Sequence, residues 1–236
     1  MGIVFALLVI LLWASHLIYM LTFVDFSATN PWMYLHIFLQ AYFYTGLFIT
    51  GHDAMHGGLS KNKTINKVLG TLAVFLFAGM SYKKLRKNHG LHHKAPATAE
   101  DPDFFVKSQN FWKWWGIFMW RYVTIMQLIV MAVAYNIMIH LFDLNELKVI
   151  IYWALPAILG TLQLFYFGVY WPHRKPHQPN MMPHRARTLK KNHFWAMASC
   201  YFFGYHFEHH EMQYVPWWKL YTTKKKNIHG SAESKN

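Results

Sequence analysis

Residues 2–23 read GIVFALLVILLWASHLIYMLTF, twenty-two positions without one Lys, Arg, Asp or Glu. A helix needs about 20 mostly apolar residues to cross the hydrocarbon core of a bilayer. The run lacks the positive leading region of a secretory signal, and Ala6 stands where a myristoylation motif needs Ser or Thr, so it is expected to be a retained span. Three further runs follow at 32–50, 115–141 and 149–171. The links Asp25 to Pro31 and Phe142 to Lys148 are short, so the four runs are expected to form two helical hairpins. The long polar regions 51–113 and 172–236 then lie on one side of the membrane.

Composition and charge agree with that layout. Of 236 residues, 54% are hydrophobic and 14% charged, where a soluble domain carries about a quarter charged residues. No Ser/Gly/Pro-rich linker divides the chain, so one domain, 1–236, is expected. Net charge is +13, yet the first sixty residues contain no Lys or Arg. Twenty-one of the twenty-three basic residues fall in 51–113 and 172–236. The positive-inside rule places both regions in the cytoplasm of a multi-pass inner-membrane protein. The same placement argues against nucleic acid as the partner of this charge.

Two shorter apolar stretches, 67–82 and 195–205, are read as interfacial or re-entrant helices. The basic tail TTKKKN (222–227) suits anionic lipid headgroups. Trp112, Trp114, Trp115, Trp120, Trp171, Trp217 and Trp218 cluster at span ends, as in an interfacial aromatic belt. The single cysteine, Cys200, reads as a small buried hydrophobe. The expected fold is an all-α integral membrane protein: four transmembrane helices in two hairpins, a cytoplasmic histidine-rich cap and short interfacial helices.

Histidine spacing carries the chemistry. The chain holds sixteen histidines, eight of them in the clusters His52-Asp-Ala-Met-His56, His89-Gly-Leu-His92-His93 and His206-Phe-Glu-His209-His210. Residues three or four apart share a helix face, so each cluster presents two or three imidazoles in one direction. Eight neutral imidazoles exceed what one ion uses; two ions with about four each, plus open positions, fit the number. Spacing alone does not separate iron from zinc.

His173, in WPHR at the end of the fourth run, is the candidate ninth ligand. His16 and His36 fall inside spans, and His140 ends the third run on the far face. His177, His184, His193 and His229 read as loop residues. Metal-bound histidines usually pass their second N–H to a carboxylate; Asp53, Asp101, Asp103, Glu208 and Glu211 stand beside the clusters and are the candidate partners. No catalytic acid, base or nucleophile beyond the ligands is indicated.

Longer strings narrow the reading. GLFITGHDAMHG (46–57), HHKAPATAEDPDF (92–104), FGVYWPHR (167–174) and FGYHFEHHEMQYVPWWKL (203–220) occur in order over about residues 40–220. Together they resemble the bacterial-type β-carotene ketolases of the membrane fatty acid desaturase/hydroxylase superfamily. The resemblance implies that His52, His56, His89, His92, His93, His206, His209 and His210 are ligands to two iron ions. It implies O2-dependent oxidation of C4 of a β-ionone ring through successive hydroxylations, turning β-carotene into echinenone and canthaxanthin. The substrate would come from the bilayer. Electrons would come from an external ferredoxin-like donor, since the chain has no GxGxxG and one cysteine. The chain departs from the family at Tyr221, where proline is frequent, at Ala97, where glycine is frequent, and at Arg185, where some members have asparagine.

The ligands are shared across the superfamily, so a carotenoid hydroxylase or an acyl-lipid desaturase or hydroxylase is the enzymatic alternative. A membrane metal transporter is the alternative that is no enzyme. Transporters place ligands at the bilayer midplane, whereas these clusters follow the ends of the apolar runs.

Overall fold

A computed structural model of the protein describes residues 1–224; Lys225, Lys226 and Asn227 of the basic tail, and His229, lie outside the described residues. Every regular element among the described residues is helical. The nine main helices are α1 (Gly2–Phe23), α2 (Pro31–Met55), α3 (Lys63–Ala78), α4 (Tyr82–Lys94), α5 (Phe111–Tyr122), α6 (Ile125–Leu141), α7 (Glu146–His173), α8 (His193–Cys200) and α9 (His206–Glu211). The chain forms two compact units. One comprises Met1–Met55, Leu59–Tyr82 and Val123–Gln163; the other comprises His56–Gly58, Lys83–Tyr122 and the chain from Leu164 onward.

Two of these helices, α1 and α7, are long and apolar enough to cross a membrane. The pairs α3 with α4, and α5 with α6, reach that threshold only when each is taken together across a sharp bend. The expected third span, 115–141, is therefore broken. Thr124 leaves the helix in extended conformation, and its side chain accepts the Gln127 N–H to start α6. The expected second span lies within the 25 residues of α2. It is less apolar than α1 and α7 because His36, Gln40 and the tyrosines Tyr34, Tyr42 and Tyr44 interrupt it.

Within the first unit, small residues let helices approach closely, the packing that membrane bundles favour. A Cβ at Gly51 would sit 2.3 Å from Val74, and one at Gly70 would sit 2.7 Å from Ala54. Both contacts draw α2 against α3. Asn62 caps α3 by accepting the Thr64 N–H at 2.8 Å, and Gly79 ends it at φ 64°. Polar groups inside the helix pairs satisfy one another. His16 reaches Gln40 at 2.5 Å and His36 at 3.1 Å, and Thr45 donates to Gln163 at 2.5 Å. His140 belongs to this unit and to no metal-compatible group among the described residues.

The second unit is built on aromatic packing. Phe104, Trp114, Phe165 and Val169 are buried together, with Phe111, Phe118 and Tyr170 against them. Trp114 thus departs from the interfacial belt. It is fully enclosed, and its indole N–H donates to the Asp103 carbonyl at 2.7 Å. Trp112 and Trp120 are exposed, as belt residues should be. Cys200 is buried and burial pushes its thiol pKa up, which leaves it inert packing.

Candidate metal centre

Two short helices supply most of the imidazoles. In α4, His89, His92 and His93 follow a helical start so poor in apolar residues that only Tyr82 and Leu85 anchor it inward. In α9, six residues carry His206, His209 and His210, all buried. His56 lies just past the end of α2, and His173 is the last residue of α7.

The rings sort into two groups. In one, His56, His89, His93 and His209 bring one nitrogen each to within 4.8 Å of the others. The Nε2 atoms of His56 and His89 are 2.7 Å apart, those of His89 and His93 3.0 Å, and those of His93 and His209 3.0 Å. In the other, His92, His173, His206 and His210 converge within the same limit and are all buried. The Nε2 atoms of His206 and His210 are 3.1 Å apart. His52 stands one turn before His56 on α2, in the first unit, and its Nδ1 is 3.0 Å from Asp53.

These distances test the site as a metal binder. Neutral imidazole nitrogens that face each other as lone pairs repel. A divalent ion about 2.1 Å from each of two neighbouring donors leaves them about 3 Å apart, which relieves the repulsion. The Nε2 of His173 is buried without a hydrogen-bond partner, while its Nδ1 lies 3.1 Å from the Arg185 carbonyl and donates to it. One nitrogen anchored and one left for a ligand bond is the arrangement of a metal-bound histidine. Burial holds the pKa of His56 down to about 4, and that of His210 well below its ordinary value, so both rings are neutral. The residues fit metal ions.

The candidate carboxylates divide. Asp101 Oδ2 lies 3.0 Å from His92 Nδ1 and also accepts the Ala97 N–H at 2.8 Å. Burial opposes its charge, but His92 and the hydrogen bonds outweigh it and lower its pKa. Asp103 lies 3.8 Å from the same ring nitrogen, and its other oxygen accepts a hydrogen bond from the Tyr122 hydroxyl. Burial, reinforced by Asp101, pushes its pKa up to about 6 against the pull of His92. With His92 the two acids also form a third compact donor set.

Glu208 and Glu211 depart from the expectation. Glu208 is bound by Lys224 at 3.0 Å and Thr188 at 2.5 Å, and Glu211 pairs with His184 at 2.6 Å. Successive side chains on a helix diverge by about 100°, so acids between ligands point elsewhere than the ligands do. The structure also uses a residue read as loop: the His184 ring stacks on His210 at 5.4 Å. One signal was available, because Pro172-His173-Arg174 recurs as Pro183-His184-Arg185.

The fatty acid desaturase family model matches residues 29–144. A zeaxanthin 4-ketolase of Chlamydomonas reinhardtii is 36% identical over 93% of this chain, and the chain spans 52%, about half, of that relative's length. A β-carotene ketolase of Paracoccus sp. (strain N81106 / MBIC 01143) is 32% identical, covering 92% of this chain and 90% of its own. Another, from Paracoccus sp. (strain PC1), is 36% identical over 76% of this chain and 74% of its own. No solved structure matches. The chain is thus a membrane protein that belongs to the β-carotene ketolase family.

Proposed function

We propose that this chain is an O2-dependent, non-haem di-iron ketolase that oxidises C4 and C4′ of the β-ionone rings of β-carotene to give echinenone and canthaxanthin. The observation that carries the reading is the sorting of the histidines into two four-ring donor groups. His56, His89, His93 and His209 would hold one iron, with His52 a fifth donor from the same face of α2. His92, His173, His206 and His210 would hold the other. When bound, the irons supply dioxygen activation for C–H hydroxylation. Burial keeps the His56, His173 and His210 rings neutral, and Asp101 fixes the His92 ring. The aromatic cluster around Trp114 and Phe165 backs the Asp101–Asp103 turn and excludes water from it. Two hydroxylations of one carbon give a gem-diol, which loses water to become the ketone.

The topology belongs to the same proposal. Four spans in two hairpins would carry the histidine-rich cap on the cytoplasmic side of the inner membrane, the substrate arriving from the bilayer. Expression in a β-carotene-producing host, with pigment chromatography and iron analysis of the purified chain, tests the reading. Canthaxanthin with about two irons per chain is expected. Zeaxanthin as sole product would favour a hydroxylase, and metal that exchanges freely without oxygen uptake would favour a transporter.

A further inference from the structure

Resting on that reading, we infer that the outer face of α4 (Lys83, Arg86, Lys87 and Lys94 around Gly90 and Leu91) docks an acidic, one-electron iron–sulfur protein. Forming the ketone from a ring methylene consumes two O2, four electrons and four protons and releases three water molecules. The four electrons must therefore enter from outside, and the iron–sulfur donor would bring one per encounter. The chain's own cysteine is single and buried, so it can hold no iron–sulfur cluster.

Helix α4 is two-faced. Leu85 and His92 are buried and His89 and His93 half-buried, whereas Lys83, Arg86, Lys87, Gly90, Leu91 and Lys94 are exposed. The exposed set follows helical spacing and makes one stripe. None of its four cations is in an ion pair among the described residues. The sequence offers little neutralisation nearby, because no Asp or Glu occurs between Asp53 and Glu100 while eight Lys and Arg do. Such a field attracts an acidic partner and speeds its approach.

Gly90 points the same way. Glycine inside a helix is less favourable than alanine, yet a Cβ at Gly90 would meet nothing within 4 Å. No packing inside the fold asks for glycine there. Its lack of a side chain opens the helix backbone to something outside. Leu91 beside it is 40% exposed. A small apolar notch with a cationic rim is the anatomy of a protein interface. The opposite face of the same helix carries donors of both histidine groups, so the stripe lies about one helix width, 10–12 Å, from them. A lipid headgroup layer would take the charge but has no use for that registry or for the notch.

The test uses the full iron-loaded chain in lipid nanodiscs with a reduced plant-type [2Fe–2S] ferredoxin as probe, over a range of ionic strength. A parallel reaction uses a small uncharged photoreductant. The variant K83E/R86E/K87E should raise the KM for ferredoxin at least tenfold and flatten its salt dependence. Turnover with the small reductant and iron content should stay within twofold. Gly90→Gln, a single neutral change, should raise the same KM about threefold. An unchanged KM with persisting salt dependence in both variants would overturn the surface. So would loss confined to binding of anionic-lipid vesicles, which would make the stripe a headgroup contact. If neither reductant gives ketone while ferredoxin is still oxidised in a salt-dependent, α4-dependent manner, the ketolase reading fails and the surface stands.

Discussion

The two histidine groups are built differently. The group of His92, His173, His206 and His210 is wholly buried, and two of its rings are braced from behind, His92 by Asp101 and His173 by the Arg185 carbonyl. In the other group His56, His89 and His93 are only half-buried. The contrast teaches a division of labour: a closed, braced set suits a metal that stays, and a more open set suits one that meets incoming molecules.

The largest effect should come from the closed group. His92→Ala is expected to abolish ketone formation, by more than about a hundredfold on pigment chromatography, and to lower iron content; His140→Ala should leave both within twofold. Canthaxanthin from the His92 variant would break the comparison. Bracing should count next. Asp101→Asn keeps the side-chain shape but removes the charge behind His92, and should weaken metal retention about 10–100-fold in chelator competition. Equal loss from both groups would mean that Asp101 supports the fold as a whole.

Acid gives a third probe. His56 in the open group has a pKa near 4 in the folded, metal-free chain against 6.5 ordinarily. The unfolded chain therefore binds the extra proton first, so the metal-free protein should lose stability as pH falls from 6.5 towards 4. His210 is depressed as well. Denaturant midpoints across that range check it, and His56→Gln should flatten the slope. The smallest expected effect is a gain. Ala97 sits at φ 55°, where a Cβ costs about 1–2 kcal/mol. Ala97→Gly should raise stability by about 1 kcal/mol while keeping the N–H that braces Asp101.

That last residue shows what was legible in the sequence. The resemblance to the ketolases implies glycine at 97 and asparagine at 185, and both positions here have positive φ, 55° and 48°. Motif comparison marks such places; only the backbone explains them. The histidine clusters were legible because helical spacing alone turns His89 and His93, or His206 and His210, the same way. Their sorting between two groups was not, because His92 and His93 are adjacent and diverge. The break at Thr124 was hidden inside a continuous apolar run, since a polar residue that ends one helix and caps the next leaves hydropathy unchanged. Glu208 looked like a metal partner by adjacency, yet Lys224, first lysine of a tail read as lipid-binding, turns inward to claim it.

Helix α9 serves both donor groups. Its six residues deliver His209 to one group and His206 and His210 to the other, and a segment that short has little helical stability alone. Under the two-metal reading, whichever ion arrives first pins the turn and so pre-arranges the ligand for its neighbour. Loading should then be cooperative, with few half-filled molecules at any iron concentration.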